Sequence, residues 1–192
     1  MMYMKLTQQF ISMQELKREG YSYYDINKLE DSGRLARVNK KYYENLDFSG
    51  EPNDFYAVSA VSDKAVVCLI SAAVYYDLSE ERPSAVEAAL PRGTRMPSQP
   101  DWPAMKFFLF SEERYETGIR TVNEDGNLYR IYDMEKTVCD IVFYRNKIGF
   151  EPAVKIVKKY LNRSDRDINR LMKYAEKLRV ETAMRQFLEV LV

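Results

Sequence analysis

Residues 10–46 read FISMQELKREGYSYYDINKLEDSGRLARVNKKYYENL, and one local grammar occurs twice within them. Ser12 stands three residues ahead of Glu15, the spacing at which a hydroxyl and a carboxylate satisfy each other's orphan amides in a helix's first turn. Ile11 and Leu16 can staple across that cap, and Gly20 supplies the left-handed residue on which a helix stops. The pattern then repeats with Ser22 and Asp25 as the box, Tyr21 and Ile26 as the staple, and Gly33 as the stop. Two short helices joined by Gly20, Tyr21 and Ser22 have the spacing of a helix-turn-helix. After Gly33, Leu35 and Val38 alternate with arginines, Asn39-Lys40 turns, and Tyr42 and Tyr43 return. A hairpin in that place is the wing of a winged helix. Leu6, Phe10 and Ile11 are expected to supply a first helix and the floor of the core.

Helical spacing points Ile26 and Leu29 inward, and Tyr21 and Tyr23 read as core. Ser22, Tyr24, Asn27, Lys28 and Asp31 remain outside. Amides and lysines bond base edges and hydroxyls bind phosphate, so this face suits a major groove. Between residues 28 and 41 five basic groups (Lys28, Arg34, Arg37, Lys40, Lys41) oppose two acidic ones (Glu30, Asp31). The expected partner is double-stranded DNA, contacted by Ser22, Tyr24, Asn27, Lys28, Arg34, Arg37, Lys40 and Lys41. The alternative is a helical hairpin that docks protein and whose lysines are only solvated. Tyr42 and Tyr43 alternate along a strand, so one of them is expected beside the wing lysines.

Formal net charge is zero over 192 residues, but its distribution is uneven. Residues 1–46 hold 8 Lys/Arg against 6 Asp/Glu, residues 47–150 hold 11 against 17, and residues 151–192 hold 10 against 6. Basic ends thus flank an acidic middle. The chain has no histidine, which excludes His-based acid–base and nucleophilic catalysis and most zinc sites. Cys68 and Cys139 lie in apolar patterns and read as buried small hydrophobes. With no apolar run long enough for a membrane span and no leader signal, a cytoplasmic protein is expected.

Residues 47–54 read as a linker, giving domains over 1–48 and 55–192. The second begins with an apolar helix capped at Ser62 and continues through PSAVEAALP and MKFFLF, which have strand character. GIRTVNEDGNLYRIY is a hairpin. From Asp133 onward the pattern is helical: one helix to Gly149, a second with Pro152 in its first turn, a third capped by Ser164 and Asp167, and a last one burying Met184, Leu188 and Leu191. The expected fold class is α+β: an N-terminal winged helix-turn-helix followed by a larger mixed α/β domain ending in a helical bundle.

Chemistry is sparse in this half. Asp133, Glu135 and Lys136 are mis-spaced for a metal-dependent nuclease, no Gly-Ser turn precedes paired aspartates, and the seven glycines form no phosphate loop. No catalytic residue, metal site or cofactor is assigned, and the protein is expected not to be an enzyme. Glu135 and Asp140 read as structural, as a cap and a partner for Arg145. The run Lys155, Lys158, Lys159, Arg163, Arg166 and Arg170 is either one solvated face, an extension of a DNA track, or a dock for an acidic partner.

Taken in order, the twin-capped segment 10–43, VCLISAAVYYDLSEERPSAVEAALP and YDMEKTVCDIVFYRNKIG resemble the AbiEi antitoxins of bacterial type IV toxin–antitoxin systems. The likeness runs over nearly the whole chain, with the helix at residues 68–73 and the Glu-Lys-Thr-x-x-Asp step from Glu135 to Asp140 as its most specific parts. The family's wing often reads Arg-Gly-x-Tyr, whereas Lys40-Lys41-Tyr42-Tyr43 stands here. The resemblance implies an autorepressor binding inverted repeats in its own promoter. It also implies a C-terminal domain that counters an AbiEii-like nucleotidyltransferase toxin without a stable complex, in abortive infection against phage. Participation of the C-terminal domain in repression is a further implication, and it bears on the 155–170 face.

Overall fold

The β-branched and aromatic residues set the strands, and their alternation decides which core each side chain enters. In the computed structural model, which describes residues 6–98, 100, 102–124 and 126–191, the chain is mixed α+β with two sheets. β1 (Phe10–Ser12), β2 (Leu35–Arg37) and β3 (Tyr42–Asn45) form an antiparallel sheet in the order β1-β3-β2. Helices α1 (Met13–Arg18) and α2 (Tyr23–Asp31) lie between β1 and β2 in the chain.

The segment expected to open a first helix is therefore a strand. Phe10, Ile11 and Ser12 pair with Glu44, Tyr43 and Tyr42. Ile11 and Tyr43 enter a small core with Leu16, Tyr21, Ile26 and Leu35, whereas Phe10 and Tyr42 pack against a different and larger cluster. Burial on opposite sides at successive residues is a period of two, which a helix cannot provide. The same alternation puts both Tyr42 and Tyr43 to use in packing, so neither ring is set aside for the lysines beside them.

The larger sheet comprises β4 (Val66–Val67), β5 (Val86–Pro91), β6 (Met105–Phe110), β7 (Ile119–Glu124) and β8 (Asn127–Tyr132), in the order β6-β5-β4-β8-β7. Pairs β5–β6 and β4–β8 are parallel; β4–β5 and β7–β8 are antiparallel. Both faces are covered. Val66, Ala89 and Tyr132 face one cluster, and Val67, Ala88, Leu90, Tyr129 and Ile131 face the other. This is why Val66–Val67 and residues 88–90 read as apolar runs without polar alternation.

Around the sheet lie α3 (Tyr56–Val61), α4 (Leu69–Tyr75), α5 (Glu112–Glu116), α6 (Met134–Phe143), α7 (Arg145–Ile148), α8 (Phe150–Leu161), α9 (Ile168–Lys177) and α10 (Glu181–Leu191). Three boundaries differ from the sequence expectation. Ser62 ends α3 rather than starting a long helix, because Val66 and Val67 slot between β5 and β8 before α4 begins. The segment expected as one helix to Gly149 breaks at Tyr144 into α6 and α7. Asp167 alone caps α9, accepting from the Arg170 amide at 2.9 Å, while Asp165 is held by the Arg163 fork in the turn before it.

Helix α6 passes through the middle of this assembly, with Met134 to Val142 buried throughout. Three of its buried residues are charged: Glu135, Lys136 and Asp140. Lys136 and Asp140 have no exposed side-chain surface and form an ion pair across one turn. The second oxygen of Asp140 accepts from Arg114 Nη1 at 2.6 Å, and Arg114 Nη2 reaches the Leu178 carbonyl at 2.8 Å. The expected partner Arg145 instead donates to the Val142 carbonyl, because Arg114 comes across from α5 and takes the carboxylate first. Lys136 also lies 3.9 Å over the Tyr132 ring, and Arg114 lies 3.7 Å over Phe143. Burial pulls the Lys136 pKa down while Asp140 opposes it.

Close backbone approach protects this arrangement. Gly118 has φ +76°, and a Cβ there would sit 2.6 Å from Lys136 Cβ. At the other end of the cluster, Glu135 accepts from the Asp167 amide at 3.1 Å and the Tyr160 hydroxyl at 3.3 Å. Asp133 caps α6 through the Lys136 amide and accepts from Tyr174. Cys68 and Cys139 are buried free thiols, and burial pushes the pKa of each upward.

Asp140→Asn leaves two buried cations facing a neutral amide, and is expected to cost about 3–5 kcal/mol, read from urea unfolding. Asp47→Asn, which removes an exposed partner of Arg34, is expected to cost under about 1 kcal/mol in the same assay.

A second expectation concerns pH. Glu87 on β5 accepts the Ile70 amide at 2.8 Å and so caps α4 from outside, but burial raises its pKa. A carboxyl whose folded pKa lies above its unfolded value binds its proton more tightly in the folded state, so its contribution fades as pH rises through that interval. Glu87→Gln keeps the acceptor and removes the ionisation. Its unfolding midpoint is expected to match the parent below the usual carboxylate pKa and to exceed it at neutral pH.

Candidate nucleic-acid interface

The two capping boxes close as their spacing requires. Ser12 Oγ accepts from the Glu15 amide at 3.1 Å while the Glu15 carboxylate accepts from the Ser12 amide at 2.9 Å. Ser22 and Asp25 repeat this at 3.2 and 2.9 Å. Between the helices, Gly20 takes φ +90° and the Tyr21 amide returns to the Leu16 carbonyl at 3.0 Å. The turn includes Glu19 as the α1 C-cap, one residue more than the sequence reading allotted. Tyr21 and Ile26 are buried together with Leu16, as a staple would place them.

Ile26 is the buried anchor of α2, and Leu29 packs beside it. The opposite face carries Tyr24, Asn27, Lys28 and Asp31, all exposed, Tyr24 at 75%. Ser22 is exposed as well, but its hydroxyl is committed to the cap. Tyr23 is not core: it is 60% exposed, and Lys17 of α1 lies 3.8 Å over its ring. Helical side chains lean toward the N-terminus, and at the first position there is no preceding turn to lean on. The ring therefore runs past the end of the core and along α1.

The hairpin bases are of two kinds. Arg34 pairs with Asp47 at 2.5 Å, and Arg37 pairs with Glu30 at 3.1 Å while also donating to the Tyr43 hydroxyl at 3.0 Å. Arg37 thus ties the hairpin to α2, and the Glu30 carboxylate beside it raises its pKa further. Lys28, Lys40 and Lys41 are exposed and have no ion pair among the described residues. The hairpin tip is not free: Asn39 Nδ2 donates to the Ala60 carbonyl on α3 at 2.7 Å, and the Met13 amide donates to the Lys41 carbonyl at 2.7 Å. Sequence reading took Asn39 for a turn residue. That it also anchors the tip depends on a partner 21 positions away.

The C-terminal basic run is spread over α8, α9 and the turn between them, and its charge is largely answered within the chain. Lys155 pairs with Glu151, Lys159 with Glu80, Arg163 with Asp165, and Arg170 with Glu135 and Asp167. Arg166 donates to the Arg163 carbonyl. Lys158 is exposed and unpaired among the described residues. Among those residues no cluster of His, Cys, Asp or Glu could hold a metal ion, and no helix is long and apolar enough to cross a membrane.

No protein-family model and no curated protein sequence matches the chain. Among solved structures, it is similar to the crystal structure of the Rv2827c protein from Mycobacterium tuberculosis. The TM-score is 0.47 at 10% identity, over 95% of this chain and 76% of that one.

Ser22→Ala removes the α2 cap without touching the core. It is expected to cost about 1 kcal/mol of stability and to speed amide exchange at residues 23–25 before the rest of the helix.

Proposed function

We propose that the protein is a DNA-binding autorepressor and antitoxin of a type IV toxin–antitoxin operon. In this reading residues 1–48 act as a winged helix-turn-helix on inverted repeats in the operon's own promoter. Residues 55–192 counter a nucleotidyltransferase toxin in the cytoplasm, without catalysis and without a stable complex.

The observation that carries the DNA part is the outer face of α2. Tyr24, Asn27 and Lys28 project from a helix fixed at its start by a capping box and behind by Ile26, with Lys40 and Lys41, unpaired among the described residues, on the following hairpin. An amide and a lysine on a rigid, exposed helix can bond base edges, and free lysines can neutralise phosphates without first giving up a carboxylate. Arg34 and Arg37 would have to exchange Asp47 and Glu30 for phosphate, so they rank behind the lysines. The same argument ranks Lys158 ahead of its neighbours on the C-terminal face. The antitoxin part rests on the resemblance of the ordered segments alone.

A second reading, a protein-docking module that binds no DNA, draws on the paired exposed rings of Tyr23 and Tyr24.

Anisotropy titrations with the chain's own upstream DNA separate the two. Binding is expected to be sequence-selective and to weaken with salt, with Lys40→Ala and Lys41→Ala each lowering the salt slope by about 1. Asn27→Ala is expected to relax discrimination at one position, by about 1–3 kcal/mol. Binding that ignored both sequence and salt would sink the proposal. A stable toxin complex that buried α2 would establish the second reading instead.

A further inference from the structure

Away from α2, a cavity of about 650 Å³ opens between the start of α3, α4, the segment 82–86 and Trp102 to Ala104. That volume is in the range of small-ligand and side-chain pockets. Among its described lining residues three are acidic (Glu51, Asp54, Glu124), one is basic (Arg82), and four are aromatic (Phe55, Tyr56, Tyr75, Trp102).

The acidic groups differ in role. Glu124 is fixed, accepting from Tyr56 Oη and Tyr129 Oη at 3.0 Å each and from Asn53 Nδ2 at 3.4 Å. Glu51 and Asp54 are exposed and form no ion pair among the described residues. The rings are equally set. Tyr75 stands edge-on to Tyr76 at 4.9 Å and to Tyr129 at 6.4 Å, and Phe55 packs on Tyr129 at 5.9 Å. Trp102 is 66% exposed at the rim, a large aromatic left in water.

Carboxylates beside pre-set aromatic faces attract an organic cation, whose charge gains from both the acids and the ring quadrupoles. Arg82, one cation against three anions, leaves the excess negative. An exposed tryptophan at the mouth of such a cavity is the kind of residue that anchors protein contacts. We propose that this cavity docks a basic protein segment, seating an arginine or lysine side chain between Tyr75, Trp102 and the carboxylates. The surface is separate from the α2 face and does not depend on DNA binding.

Trp102 is the chain's one tryptophan, so its fluorescence reports this rim alone. The probe is an acetylated, amidated Ala-Phe-Arg-Ala peptide titrated into the full chain. Its controls are the same peptide with citrulline in place of arginine, and spermine. The arginine peptide is expected to shift Trp102 emission saturably, and the citrulline peptide to bind at least tenfold more weakly. Glu51→Gln and Asp54→Asn, both at exposed positions that leave the core intact, are expected to weaken the arginine peptide about threefold each. Arg82→Ala is expected to tighten it by a similar factor. Equal responses to arginine and citrulline, no response at all, or indifference to Glu51 and Asp54 would overturn the proposal. Spermine acting as strongly as the peptide would replace the protein partner with a free polyamine.

Discussion

The carboxylate of Asp140 is the constraint on which the larger half of the molecule depends. It is fully buried, so it must be matched, and its two oxygens collect two cations from different elements: Lys136 from its own helix and Arg114 from α5. Arg114 then uses its other nitrogen on the Leu178 carbonyl at the end of α9. One carboxylate thereby fixes α5, α6 and α9 relative to each other. An apolar core of the same volume would hold them at least as tightly, since desolvating three charges offsets much of their attraction. What the ionic cluster adds is direction: its hydrogen bonds are satisfied in one arrangement, whereas apolar contacts tolerate several.

The neighbouring acids extend the same logic toward the surface. Asp133 and Glu135 cap α6 and the start of α9, and each draws a tyrosine hydroxyl inward, Tyr174 and Tyr160 respectively. Residues 133–140 thus act as a polar spine inside an apolar bundle. Gly118 permits the spine to pass close to the β7 entry, where any side chain would collide with Lys136. Every acid of this spine is bonded to the protein itself.

How much of this was legible in the sequence varies by the range of the interaction. Capping boxes at Ser12 and Ser22 were readable because both partners lie within three residues, and the hairpin of β7 and β8 because its turn is local. β4 was missed, since two valines carry a strand only when β5 and β8 arrive from elsewhere to flank them. The partner of Asp140 was misassigned for the same reason: Arg145 is near in sequence, but Arg114 is near in space. In the candidate interface, which side chains lie outside α2 followed from period and was largely correct. Tyr23 did not, because periodicity has no knowledge of where a core ends. Which arginines are already spent on Glu30 and Asp47 was likewise invisible.

Strand β3 is a wall shared by two cores. Tyr43 faces the small one and Tyr42 the large one, and Phe10 and Ile11 repeat the division on β1. Sliding β3 by one residue would turn each ring into the wrong chamber, so both cores impose the same register on one strand. Cutting the chain after residue 48 would strip one side of that wall, baring Phe10, Val38, Tyr42 and Phe48, which otherwise pack on the larger cluster. The N-terminal piece is consequently less a detachable unit than a storey of the same building, and it would be adhesive on its own.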